Sequence, residues 1–274
     1  MLRALPVSDR VNMDSMTSWF ILAAGAIVGS FLNVCIYRMP RDLSIVLPRS
    51  FCPHCKAMIP WYENIPLVSY LLLRGKCFRC RKPIAFRYFL VELTTAWIAW
   101  FLWQRYGLSA EFVVSAIFFS MIIVAAVTDL ETGLIPDHIT ITGMIAGLAL
   151  SVTGHGHFAQ TLWYQKVIAS GAGLLAGGGL LFLIGWLGKL VFRKDSMGEG
   201  DVKLLAMVGA FVGVTKVGLV FLLAPFPALP FAIWQRFVKK EETVPFGPFL
   251  ALAGAFIFME GDAVLNFLSR TYGV

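Results

Sequence analysis

Charge is what this sequence has least of. Only 14% of its 274 residues are Asp, Glu, Lys or Arg, while 58% are hydrophobic and the mean hydropathy is +0.75. A soluble domain of this length carries about a quarter charged residues, so the balance excludes that class and leaves a polytopic membrane protein. Internal repeats and low-complexity tracts are absent too, which excludes solenoids and disordered arrays. A cleavable signal is also missing: the first apolar run, 17–37, is too long and has no small-residue cleavage site, so it is expected to remain as a span. Histidine numbers four. His155 and His157 form an HxH read as a surface pair.

What is there is long apolar runs. A bilayer core takes about 20 apolar residues per helix, and residues 17–37, 88–104, 112–128, 138–153, 167–191 and 246–269 qualify. The run 202–235 would be about 50 Å long as one helix, too long for a core of about 30 Å, and is read as two short spans turning near 213–216. The expected fold is therefore an all-α polytopic membrane protein of about eight transmembrane helices. The glycine-rich run 171–185 is read as a helix-packing face.

Net charge is +7, and its placement matters more than its size. Ten Lys/Arg (Arg38, Arg41, Arg49, Lys56, Arg74, Lys76, Arg79, Arg81, Lys82, Arg87) lie in 38–87 against Asp42 and Glu63, which marks that segment as cytoplasmic. Alternation then puts loops 129–137, 192–201 and 236–245 on the same side, with both termini outside. These basic residues flank membrane spans, so lipid is the expected partner and nucleic acid is not. The chain divides into 1–37 (N-terminus and first span), 38–87 (cytoplasmic loop) and 88–274 (the remaining spans).

The loop contains Cys52-Pro-His-Cys55 and Cys77-Phe-Arg-Cys80, with twenty-one residues between the pairs. Two CxxC knuckles supply four thiolates for a tetrahedral structural zinc site. Disulfides are the competing reading, but a cytoplasmic loop is in a reducing compartment. His54 is a possible substitute ligand. A closed four-thiolate site leaves no open coordination position, so Zn2+ at Cys52, Cys55, Cys77 and Cys80 would organise the loop and perform no chemistry. Cys35, inside the first span, is read as a packing residue.

Ionisable groups at membrane depth point to function. Asp129 ends the third span in VAAVTDLETGLIPDH, and Asp201 opens the sixth in GEGDVK. Two carboxylates brought close share a proton, so one acts as base on water while the other polarises a carbonyl. The residues alone leave a second reading open: Asp201 as a helix N-cap and Asp129 as a solvated span end. Gly198 and Gly200 would permit close backbone approach. Asp137 is read as a cap, Asp195 and Glu199 as solvated, and Lys203 as tuning the aspartates or snorkelling to the interface.

Several motifs in order carry a resemblance that covers most of the chain: GSFLNVCIYRMP (29–40), the CxxC pairs, WYENIPLVSYLLLRGKC (61–77), RYFLVEL (87–93), TDLETGLIPD (128–137), GEGDVKLLAMVGAF (198–211) and VPFGPFL (244–250). With these the chain resembles the type IV prepilin peptidases, bifunctional leader peptidases and N-methyltransferases of bacterial pilus and type II secretion systems. It differs by an N-terminal extension whose start falls at Met1, Met13 or Met16. The resemblance implies a GxGD-type membrane aspartyl protease with Asp129 and Asp201 as catalytic residues. It also implies location in the bacterial inner membrane with a cytoplasmic active site, cleavage of prepilins or pseudopilins after the terminal glycine of a basic leader, and methylation of the new N-terminus with S-adenosylmethionine. No soluble-type glycine-rich methyl-donor motif is visible; Asn33, Glu63 and Asn64 are the polar candidates, each with a plain alternative in capping, loop hydrogen bonds or helix packing. A basic leader would be drawn to Glu131, Asp137, Glu199, Glu241 and Glu242. A proton-relaying transporter with a regulatory zinc loop is the reading from another class, disfavoured by the lack of an inverted repeat; a zinc-bearing scaffold is the third.

Overall fold

The computed structural model describes residues 7–153, 162–193, 198–239 and 244–272. His155, His157, Asp195, Glu241 and Glu242 lie outside them. Among the described residues ten α-helices follow in order: α1 Val7–Arg38, α2 Val68–Leu72, α3 Phe86–Tyr106, α4 Ala110–Thr132, α5 Asp137–Ser151, α6 Trp163–Phe192, α7 Glu199–Val212, α8 Val214–Leu223, α9 Pro225–Trp234 and α10 Gly247–Tyr272. No strand forms among the described residues. The protein is an all-helical, multi-pass membrane protein with a tetracysteine loop between its first and second long helices.

Each expected span coincides with one helical stretch. The break in the long apolar run falls at Gly213, whose φ of 81° lets the chain leave α7 and start α8. Among the described residues, five stretches are long and apolar enough to cross a membrane: Met16–Arg41, Ala110–Thr132, Trp163–Val191, Val214–Val238 and Gly247–Thr271. The others fall short for separate reasons. Helices α5 and α7 have 15 and 14 residues, about 22 Å at 1.5 Å per residue. Helix α3 is long enough, but Arg87, Glu92, Arg105, threonines and tryptophans interrupt it. Outward apolar side chains fit lipid: Phe226 is 74% exposed, Phe237 77% and Leu175 72%.

The chain forms two compact units, Met1–Ala116 and Ile117–Val274. In the first, α1 and α3 pack antiparallel. A Cβ on Gly25 would lie 2.8 Å from the Ala96 Cα, and one on Gly29 would lie 2.7 Å from the Glu92 Cα, so these glycines set the helix spacing. Four residues on, Asn33 Nδ2 donates to the Tyr88 carbonyl at 3.0 Å.

In the second unit α7 is central, with α5, α6, α8 and α10 packed against it. Every residue from Leu204 to Val212 is buried, the mark of a helix covered on all sides. Phe118 of α4 stacks on Phe258 of α10 at 4.4 Å and meets Phe211 of α7 at 5.1 Å. The glycine-rich run is a packing face as expected: a Cβ on Gly173 of α6 would stand 2.2 Å from the Gly209 carbonyl oxygen of α7. Ser170 adds a hydrogen bond to the Ala210 carbonyl at 2.6 Å. The sequence thus buries the last nine residues of one short helix and places a carboxylate in its first turn.

Candidate functional sites

Asp129 and Asp201 reach one locality by different routes. Asp129 sits near the end of α4, which stops at Gly133, where φ is 66° and the N–H closes on the Asp129 carbonyl at 2.9 Å. Asp201 is the third residue of α7, ahead of its buried apolar run. The reading of Asp201 as an N-cap is not realised: Gly198 occupies that position and no side chain caps the helix. Burial, and then the Asp129 carboxylate, push Asp201 up to about 7, so two carboxylates act on each other.

The backbone around them is closely fitted. Asp129 is 7% exposed, and its Oδ2 accepts the Gly247 N–H at 2.9 Å. A Cβ on Gly247 would lie 2.7 Å from that oxygen and 2.9 Å from the Ile135 Cδ1. Ile135, in the turn after α4, also lies against Gly200, where a Cβ would be 3.0 Å from the Ile135 Cβ. The segments bearing Asp129, Asp201 and Gly247 therefore meet through Ile135. The arrangement holds one carboxylate by a backbone donor and leaves the other near its midpoint at neutral pH, a pairing able to give and take a proton.

Lys203 touches neither aspartate. Its Nζ donates to both Asp137 carboxylate oxygens, at 2.7 and 2.8 Å. Asp137 is accordingly not the cap expected of it: Pro136 holds the N-cap position of α5, and Asp137, one residue later, turns its side chain to Lys203. The reason is tertiary, because the starts of α5 and α7 lie side by side and the ammonium is the better partner. Asp137 therefore has a cationic partner within the chain.

The two knuckles are the same turn built twice, twenty-five residues apart. Cys52 N–H donates to Ala57 and Lys56 N–H to Cys52; Cys77 N–H donates to Lys82 and Arg81 N–H to Cys77, all at 2.9 Å. Lys56 and Arg81 both adopt φ of 58°, and each knuckle is closed by one bridge, Phe51 to Met58 and Lys76 to Pro83. The four Sγ atoms lie within 4.8 Å of one another, with Cys52 and Cys80 at 3.9 Å. Tetrahedral zinc with bonds of about 2.3 Å requires S···S near 3.8 Å, so the donor set fits a metal ion. His54 is not part of that cluster.

The methyl-donor candidates occupy different settings. Glu63 and Asn64 lie in a short turn of the loop, Trp61–Glu63, whose end is closed by Asn64 N–H on the Trp61 carbonyl. Asn33 is 2% exposed on the seam between α1 and α3, and its Oδ1 has no hydrogen-bond partner. Two residues escaped sequence reasoning. Gly247 carried no chemical signal, since a backbone donor is invisible in a residue list. Glu92 did carry one: it is a carboxylate inside an expected span, buried to 9% exposure, taking the Leu67 N–H at 2.7 Å.

Comparison with known proteins agrees with this layout. Residues 23–106 match the bacterial peptidase A24 N-terminal domain, and 116–233 match the type IV leader peptidase family. A prepilin leader peptidase/N-methyltransferase of Stutzerimonas stutzeri is 34% identical over 277 residues, covering 89% of this chain and 92% of that one. A protein of the same description from Legionella pneumophila is 30% identical over 292 residues, covering 97% and 98%. A third, from Myxococcus xanthus, is 39% identical over 193 residues, 70% of this chain but 55% of the relative's length. No solved structure matches the chain significantly.

Proposed function

The chain belongs to the type IV leader peptidase family, and from that premise we propose that it cleaves the basic leader from prepilins or pseudopilins with Asp129 and Asp201, and then methylates the new N-terminus. The observation that supports the aspartate assignment is their mutual influence beside a backbone donor: Asp129 fixed by Gly247 N–H, Asp201 raised to about 7 by burial and by Asp129. In this reading Asp201 carries the proton of the pair and Asp129 is ionised. Asp129 takes a proton from water as the water oxygen bonds to the scissile carbonyl carbon, and Asp201 gives its proton to the carbonyl oxygen. Collapse returns that proton to Asp201, breaks the C–N bond and delivers the Asp129 proton to the leaving amine. No covalent intermediate forms.

The released α-amine is the nucleophile of the second reaction, for which S-adenosylmethionine, when bound, supplies an electrophilic methyl group. The residues proposed to hold it are Glu63 and Asn64, in the segment that also contains the knuckles, and Asn33 of α1, which precedes that segment. Zn2+ at Cys52, Cys55, Cys77 and Cys80 would order the loop without joining the chemistry. The density of Lys and Arg in 38–87 supports a cytoplasmic loop and an inner-membrane location. We divide the labour accordingly: 38–87 serves methyl transfer and 88–274 forms the protease core.

The test is cleavage of a prepilin peptide by purified protein in detergent, followed by methyl transfer on adding S-adenosylmethionine. Asn at 129 or 201 is expected to abolish cleavage and to leave methylation of an already cleaved peptide intact. Full cleavage by either variant would overturn the assignment.

A further inference from the structure

Glu92 is a carboxylate in the second turn of α3 that lacks a counter-ion among the described residues. Its partners are the Leu67 N–H at 2.7 Å and the Ser30 side chain, and among the described residues no cation pairs with it. A carboxylate can accept about four hydrogen bonds, and an unpaired one at membrane depth is costly enough to mark a binding role. One turn away on the same seam, where Asn33 meets Tyr88, the Asn33 Oδ1 is buried and unpartnered, a second acceptor with unused capacity.

The backbone that meets Glu92 is itself distorted. Leu67 has φ 62° and ψ −50°, and Val68 N–H closes on the Pro66 carbonyl at 2.6 Å. This is the positive-φ γ-turn, a rare and strained geometry, of a kind that collects at ligand sites. Its effect is to aim the Leu67 N–H at the carboxylate.

We propose that Glu92 and Asn33 bind an α-ammonium group. The seam offers an anion and a neutral oxygen acceptor, so its complement is a cation with several donors, and an ammonium has three. The inference rests on the methyl-transfer reading above, in which two molecules carry such a group: the freshly cleaved peptide at its N-terminus and the methyl donor at its amino-acid end.

The experiment compares the dissociation constants of matched ligands for the full-length enzyme. One pair is the cleaved peptide product and its N-acetylated form; the other is S-adenosylhomocysteine and its deaminated analogue. Wild type is expected to prefer one ammonium-bearing member about 10- to 100-fold, the range for losing a charge-assisted hydrogen bond. Glu92→Gln, which keeps an acceptor for Leu67 N–H, should bring that ratio close to one, and Asn33→Ala should lower it by a smaller factor. A ratio lost for the peptide pair identifies the N-terminus as ligand, and one lost for the nucleoside pair identifies the donor; either supports the site. Unchanged ratios in both variants overturn it. Cleavage by the same preparations reports folding. Wild-type protein that never transfers a methyl group would refute the functional reading, while the ligand ratios would still decide the ammonium site.

Discussion

The cysteine knuckles and the aspartate site hold their reactive groups over very different chain distances. In each knuckle the positioning hydrogen bonds join residues four or five apart, and only the pairing of two knuckles is long-range. At Asp129 the positioning donor, Gly247 N–H, is 118 residues away, and Asp201 arrives at the start of a helix whose residues 204–212 are all buried. A local turn can survive changes elsewhere in the chain. A site held by packing depends on every helix that covers it, so its small residues matter as much as its acids.

That contrast can be broken or sharpened by experiment, and the largest effect should come from the acids. Asp129→Asn and Asp201→Asn remove proton transfer, worth about 10²- to 10⁴-fold; loss of prepilin cleavage with intact methylation of a cleaved peptide would separate the two regions. Next, Cys52→Ser or Cys77→Ser should release bound metal, measured by metal content after dialysis, and reduce methyl transfer at least about tenfold, because the thiolates organise the loop. Cleavage lost in parallel would show that the regions do not work independently.

Gly247→Ala tests the packed site without touching an acid. A methyl group would stand 2.7 Å from Asp129 Oδ2, and overpacking of this kind costs about 1–3 kcal/mol, so cleavage should fall by roughly 5- to 150-fold. Unchanged kcat/KM would show that the close fit at Gly247 is dispensable.

The pH profile follows from Asp201, raised to about 7. An acid at that value is protonated below it and ionised above, so a rate that needs the protonated form falls through about pH 7, by up to about tenfold per unit, and falls again at lower pH where Asp129, the base, becomes protonated. A cleavage rate that instead rises through pH 7 would transfer the proton to Asp129. Lys203→Met should have the smallest effect. Lys203 and Asp137 are 33% and 56% exposed, and exposed ion pairs are worth about 0.2–1 kcal/mol, so cleavage should drop less than about fivefold. A larger loss would make the ion pair an essential brace between α5 and α7.

Legibility followed the same division. The knuckles were readable because spacing specifies the donors and each turn is local. The long helices were readable because hydropathy is a one-dimensional property, and even the break near Gly213 followed from comparing run length with bilayer thickness. Asp129 and Asp201 stood out as charges beside lipid, as Glu92 should have. Asp137 was misread as a cap and Lys203 was left between two roles because each has a sensible role alone, and only the adjacency of two helix starts pairs them. Gly247 was legible only as part of the VPFGPFL motif, and its contribution was not, since an N–H is something every non-proline residue possesses.

Composition and spacing, taken alone, determined that this protein is helical, lies in the membrane and carries a four-thiolate knuckle pair. Tertiary structure decided which helix is central, which backbone amide meets Asp129, and which cation Asp137 takes as partner. The physical reason is range: hydropathy and turn chemistry act over a few residues, whereas the field at a carboxylate is set by whatever packing brings within a few ångströms, however distant in the chain.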